Sequence, residues 1–198
     1  MDLIDRLKLI TWGIDHYVMS EAGVLLLFDA IDRIQSDLPI VEIGVYMGRT
    51  TRAMAMYCKA TGKPNKIYGI DPFELFQNNS TPDAPNAVGI KEMTISNLSG
   101  WDNVEIIQGF SWDDEVLDMF PEVAMVFLDG DHTKEGVKRD LNNWMPRTKE
   151  FFIMHDMRYR TIYDALSELG IFFIEPIWNF GVIKGYEGII EEGWFKDL

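Results

Sequence analysis

Residues 40–58 read IVEIGVYMGRTTRAMAMYC: a short apolar run, two glycines four positions apart, then a segment of helical composition. The β-branched, apolar run ending at Gly44 has the character of a strand buried on both faces. Gly44 and Gly48 give the following turn the freedom to bring its backbone close to a bound molecule. From Thr50 to Lys59 the residues favour a helix. In an open α/β sheet such a turn lies at the carboxyl end of its strand, where ligands bind.

The same alternation continues downstream. KIYGID (66–71), VEIIQG (104–109), VAMVFLDG (123–130) and FFIMHD (151–156) read as strands. Helical stretches at 87–98, 112–119 and 134–144 separate them. Short Val/Ile/Phe-rich runs joined by helices predict a doubly wound sheet of parallel strands. The end of the chain differs. After a helix over 163–169, IFFIEP and NFGVIKGY are separated by only Ile177 and Trp178, which suits an antiparallel hairpin and not a crossover. At the other end, Ser20 caps a helix predicted to run to about Ser36, with Val24, Leu27, Phe28, Ile31 and Ile34 on one face.

A length of 198 residues with 47% hydrophobic content suits one domain, a helical segment at 1–36 followed by an α/β core at 37–198. The net charge of -14 and the lack of a Lys/Arg cluster argue against nucleic acid as a partner. No apolar run approaches the roughly 20 residues of a membrane span. The single cysteine, Cys58, and acids within the first residues predict a cytoplasmic setting, and a homo-oligomer is compatible with the sequence.

The predicted strand ends are polar. They carry Glu42, Gly44 and Gly48; Asp71; Gly109, Phe110 and Ser111; Asp129, Gly130, Asp131 and His132; and His155 with Asp156. The first turn lacks the G-x-G-x-x-G fingerprint of dinucleotide sites and the lysine of a P-loop, so it suits a nucleoside without phosphate. Asp71, 27 positions after Gly44, could accept hydrogen bonds from both ribose hydroxyls. Gln77–Gly89 forms a polar insertion longer than the usual 2–6 residues of such a connection, either a lid or a surface excursion. A serine hydrolase is disfavoured because Asp113 stands at the second glycine of the G-x-S-x-G elbow. A glycosidase fails because Asp129 and Asp131, neighbours at one strand end, cannot face each other across a sugar bond.

EIGVYMGRT resembles motif I, E-x-G-x-x-x-G-x-[ST], of the class I S-adenosylmethionine-dependent methyltransferases, and the likeness runs from Ile40 through the closing hairpin. VEIGVYMGRTTRAMA and MVFLDGDH are similar to stretches of the metal-dependent catechol-type O-methyltransferases. DGDH followed by HD resembles small methyltransferases related to sugar and macrolide O-methyltransferases. The resemblance implies a Rossmann-like, seven-stranded sheet in the order 3-2-1-4-5-7-6 with an antiparallel last strand. It implies S-adenosyl-L-methionine bound by Glu42, Gly44, Tyr46, Gly48, Asp71, Gly109, Phe110, Ser111 and Asp129. It further implies Mg²⁺ or another divalent cation on Asp129, His155 and Asp156, with His132 as the base that deprotonates a small hydroxylated acceptor.

His155 stands where those enzymes have a carboxylate, so either the ion is softer or Asp131 replaces that ligand. Two alternatives stay open: a domain that binds the nucleoside without transferring methyl, and a metal-free N- or C-methyltransferase. Asp140 is expected to cap or be solvated, Met54, Met56 and the run Ile171–Ile174 to be core, and Cys58 to be inert packing.

Overall fold

The computed structural model describes residues 20–74, 89–177 and 179–185. The expectations for residues 1–19, with Trp12, His16 and Tyr17, and for most of the 77–89 insertion lie outside the described residues.

Seven strands form one sheet: β1 (Ile40–Ile43), β2 (Ile67–Asp71), β3 (Val104–Gln108), β4 (Val123–Leu128), β5 (Thr148–Met154), β6 (Ile174–Ile177) and β7 (Phe180–Lys184). Their order is β3-β2-β1-β4-β5-β7-β6, as the resemblance implied. β1 pairs in parallel with both β2 and β4, while β7 runs antiparallel to β5 and β6. Among the described residues, six helices connect or precede them: α1 (Glu21–Arg33), α2 (Arg49–Thr61), α3 (Ile90–Leu98), α4 (Asp114–Met119), α5 (Lys134–Trp144) and α6 (Arg160–Leu169).

Strand alternation divides the core between two faces. Ile40, Ile67, Phe127 and Ile153 face α1 and α2, packing with Phe28, Ile31, Met54 and Cys58. Val41, Ile70, Val126 and Phe152 face α4, α5 and α6, packing with Leu117, Leu141, Trp144 and Ile162. Both faces being covered explains why β1 and β4 are apolar along nearly their whole length. Ser20 caps α1, accepting a hydrogen bond from the Gly23 N–H, and the helix ends three residues before the expected Ser36.

Two expectations are corrected. Phe172 is 93% exposed, because the chain between α6 and β6 does not enter the sheet until Ile174; its neighbours Ile171 and Phe173 do pack against the core. Asn179, read as part of the last strand, instead turns the β6–β7 hairpin with φ of 74°, a left-handed conformation that asparagine tolerates better than most residues.

Candidate active site

The sheet reverses its winding between β1 and β4, which opens a crevice at their carboxyl ends. Backbone hydrogen bonds tie the strand ends in a row: Gly109 N–H to the Asp71 carbonyl, Gly44 N–H to Ile70, Asp129 N–H to Ile43, and His155 N–H to Leu128. This row sets the spacing of every side chain discussed below.

Gly44 (φ 88°) is the pivot of the first turn. A Cβ there would lie 2.2 Å from the Asp129 carbonyl oxygen, so no other residue lets β1 and β4 end so close together. Gly48, also left-handed, opens α2 against Leu98. The turn is held from the next strand: Asp71 Oδ2 accepts the N–H groups of Val45 and Tyr46 at 2.8 and 2.9 Å, and Oδ1 accepts that of Phe73 at 2.7 Å. Asp71 therefore shapes the turn as well as facing the cleft. Glu42, 1% exposed, lies under the turn and accepts a hydrogen bond from the Thr51 hydroxyl of α2. Burial raises its carboxyl well above the ordinary range.

The cleft is lined by Gly44, Tyr46, Asp71, Phe110, Ser111 and Asp129 from the expected cofactor set, together with Phe73, Trp112, Asp131 and Asp140. Glu42, Gly48 and Gly109 support it from beneath or beside it and are not lining residues. Phe110 and Trp112 stack with ring centroids 4.6 Å apart, and the Arg139 guanidinium sits 3.7 Å from the Trp112 ring centre.

Asp140 corrects another expectation. It is 0% exposed, accepts a hydrogen bond from Ser111 Oγ on Oδ1, and its carboxyl is pushed by burial up to about 7. Its position on the inward face of α5, with Leu141 and Val137, is legible from helical spacing, but its charge suggested solvent.

Beyond Asp129 the acids and histidines converge. His132 Nε2 lies 3.2 Å from Asp156 Oδ2 and 3.8 Å from Asp129 Oδ1. Asp129, His132 and Asp156 can each turn a ligand atom to within 4.8 Å of the others. His132 stacks on Tyr159, and its buried Nε2 faces the two carboxylates. The two carboxylates fit a divalent cation, and the imidazole nitrogen beside them is placed to serve as a further ligand or, left off the ion, as a base.

His155 stands apart from that trio because both its nitrogens are engaged. Nδ1 lies 3.0 Å from Asp129 Oδ1, and Nε2 lies 3.3 Å from Asn179 Nδ2. Asn179 Oδ1 accepts the Arg158 N–H, which fixes the amide with its NH₂ toward His155 and Asp156. A neutral His155 therefore carries its proton on Nδ1 and donates it to Asp129. Asp131 turns instead to the start of α5, accepting the Thr133 N–H and hydroxyl, so it does not replace a ligand in the trio.

Electrostatics follow from this packing. Burial works to raise Asp129, but His155 and His132 overcome it and hold the carboxyl below its usual range. Burial works to lower both histidines, and Asp129 and Asp156 overcome it and hold both above the ordinary range. Asp156 itself has φ of 56°, an uncommon conformation for a residue other than glycine, which Asn179 secures with a 2.9 Å hydrogen bond. Asn179 and Tyr159 were not singled out in the sequence; only asparagine's preference for tight turns marked the former.

The sheet order, the antiparallel last strand and the glycine turn against β4 together define the class I S-adenosylmethionine-dependent methyltransferase fold. Residues 41–157 match the methyltransferase domain family described as "Methyltransferase domain", and the chain belongs to that family. No curated protein sequence matches the chain. Among solved structures, the O-methyltransferase NovP superimposes with a TM-score of 0.69 at 17% identity, covering 88% of this chain and 84% of NovP. CalS11, a TDP-rhamnose 3'-O-methyltransferase of calicheamicin biosynthesis, gives 0.58 at 15% identity over 91% of this chain and 92% of its own. The mycinamycin methyltransferase MycE, in complex with Mg, SAH and mycinamycin VI, gives 0.57 at 16% identity; the match covers 92% of this chain and 53% of MycE.

Proposed function

We propose that this protein transfers the methyl group of S-adenosylmethionine to a hydroxyl oxygen of a small acceptor, assisted by a divalent cation between Asp129 and Asp156. The observation that carries this reading is the position of Asp129, which lines the cleft and also belongs to the acid–histidine trio. Cofactor cleft and chemistry thus meet at one residue. NovP and CalS11 are O-methyltransferases, and the MycE structure is a complex with Mg, SAH and mycinamycin VI, which supports the same assignment here.

Gly44 and Asp129 border the donor's methionine end, Asp71 offers its carboxylate to the ribose, and Phe110, Ser111 and Trp112 border the adenine. A divalent cation, when bound, lowers the pKa of an acceptor hydroxyl. His132 Nε2, beside Asp156 and not a ligand in this reading, takes the hydroxyl proton. The oxygen then displaces the sulfonium methyl in line: an O–C bond forms, the C–S bond breaks and its electron pair stays on sulfur. His155 does not need to be a ligand. Its Nδ1 orients Asp129, and Asn179 orients both His155 and Asp156.

Incubation with S-adenosylmethionine labelled in the methyl group and a panel of sugar, phenol and macrolide acceptors tests the reading. Label transfer to oxygen that stops with chelator and returns with Mg²⁺ or Mn²⁺ is expected. Undiminished transfer in chelator would remove the cation, and transfer to nitrogen or carbon would remove the O-methyl assignment.

A further inference from the structure

Arg158 and Arg160 are not used by the transfer step. In a chain of net charge -14 they flank Tyr159 where the backbone passes from β5 into α6, two and four residues after Asp156. Surface lysines that pair with carboxylates, such as Lys59, Lys66 and Lys149, hold them at 2.5 to 2.6 Å. Arg158 Nε instead lies 3.7 Å from Asp156 Oδ1, and Arg160 Nε 3.8 Å from Asp164 Oδ2, with the two side chains 55% and 91% exposed. Both separations are beyond hydrogen-bond length. The backbone beneath Arg158 is nevertheless fixed against the reacting groups. Its N–H donates to Asn179 Oδ1, the Tyr159 N–H donates to the Asp156 carbonyl, and the Thr161 hydroxyl donates to the His132 carbonyl at 2.6 Å. The guanidinium carbon lies 5.3 Å from the centre of the Tyr159 ring, which itself stacks on His132.

Resting on the transfer reading above, we infer that the acceptor is an anion: a hydroxylated molecule whose phosphate or carboxylate group, a few bonds from the hydroxyl that is methylated, is bound by the Arg158 guanidinium. A hydroxyl presented to His132 and Asp156 brings the rest of a small acceptor within reach of that side chain. The planar guanidinium matches either anion with two parallel hydrogen bonds, which a lysine ammonium does not. Arg160 adds a second positive charge nearby. A divalent cation on Asp129 and Asp156 would balance those two carboxylates and leave the arginine charge uncompensated, which favours a negative group there further. An Arg158 that served only to neutralise Asp156 would be expected to bond it directly, and it does not.

The test measures methyl transfer from labelled S-adenosylmethionine to matched acceptors that differ in the anion: catechol against protocatechuate, and methyl glucoside against its phosphate ester. The wild-type protein should prefer the anionic member of at least one pair by about tenfold or more in kcat/KM, and the pair that responds separates carboxylate from phosphate. Added salt should weaken that preference. Arg158→Gln should abolish it through KM and not kcat, and Arg158→Lys should restore part of it. Equal use of the two members of each pair, or transfer confined to neutral acceptors, would overturn the proposal, and so would an Arg158→Gln variant that loses both members equally. Transfer to no acceptor at all would overturn the transfer reading instead, so the two failures are distinct. The wild-type comparison needs no variant, so a folding defect in Arg158→Gln leaves the proposal open to refutation.

Discussion

His132 and His155 are alike in charge but differ in their neighbours, and the difference predicts different mutational outcomes. His132 Nε2 faces the carboxylates of Asp156 and Asp129, whereas His155 is held by Asp129 at one nitrogen and by Asn179 at the other. Replacing His132 by Ala should lower turnover by about 10²–10⁴-fold while S-adenosylhomocysteine binding stays unchanged, as titration calorimetry would show. Loss of both would mean that the residue holds the turn together. In the metal-free protein, NMR titration should find both histidines above the ordinary range, because Asp129 and Asp156 favour their charged forms. The stability these pairs contribute is present below the ordinary histidine pKa and is lost as pH rises through the raised values. Asp140 works in the same direction, although there burial favours the neutral form and not the charged one. Its folded-state value of about 7, against 3.8, means that the folded protein keeps a proton the unfolded chain releases. Stability therefore falls as pH rises across that window, by about 4 kcal/mol if the whole displacement is realised. Urea titrations at pH 5 and pH 8 should show the fall, and Asp140→Asn should flatten it.

At the scale of elements, the β1 turn is a tightly constrained junction. Gly44 combines φ of 88° with a carbonyl oxygen 2.2 Å from any added Cβ, and the obstacle is backbone, which cannot swing away. Gly44→Ala should cost about 3 kcal/mol or more in a denaturant titration and weaken S-adenosylhomocysteine binding with it. Gly62, by contrast, ends α2 with open space around it, so Gly62→Ala should pay only the smaller left-handed penalty of about 1 kcal/mol.

Element identity was legible in the sequence because buried parallel strands such as VAMVFL are apolar along their length and helices such as Lys134–Trp144 carry a clean 3.6-residue stripe. Glycines and acids at the strand ends located the site for the same reason: sheet topology places those ends together. What local pattern could not show was orientation. Asp131 and Asp129 are two residues apart, yet one turns to the α5 cap and the other into the cluster. Asp140 reads as a solvated charge until helix α5 is laid on the sheet, and Phe172 reads as core until the chain is seen to enter β6 late.

For the whole molecule, the two faces of the sheet divide the work. α1 and α2 pack one face and, through Thr51, secure Glu42 beneath the first turn. α4, α5 and α6 pack the other, bringing Asp140 into the cleft, and the segment between β5 and α6 brings Tyr159 onto His132. The β6–β7 hairpin contributes Asn179, which joins the antiparallel end of the sheet to Asp156 and His155. Every part of the sheet thus bears on one crevice shaped for a nucleoside without phosphate. Titration calorimetry of the full chain with S-adenosylhomocysteine measures whether that crevice holds it. One-site binding, weakened about tenfold or more in Asp71→Ala, is the predicted result; no heat at high micromolar concentrations of protein and nucleoside would contradict it.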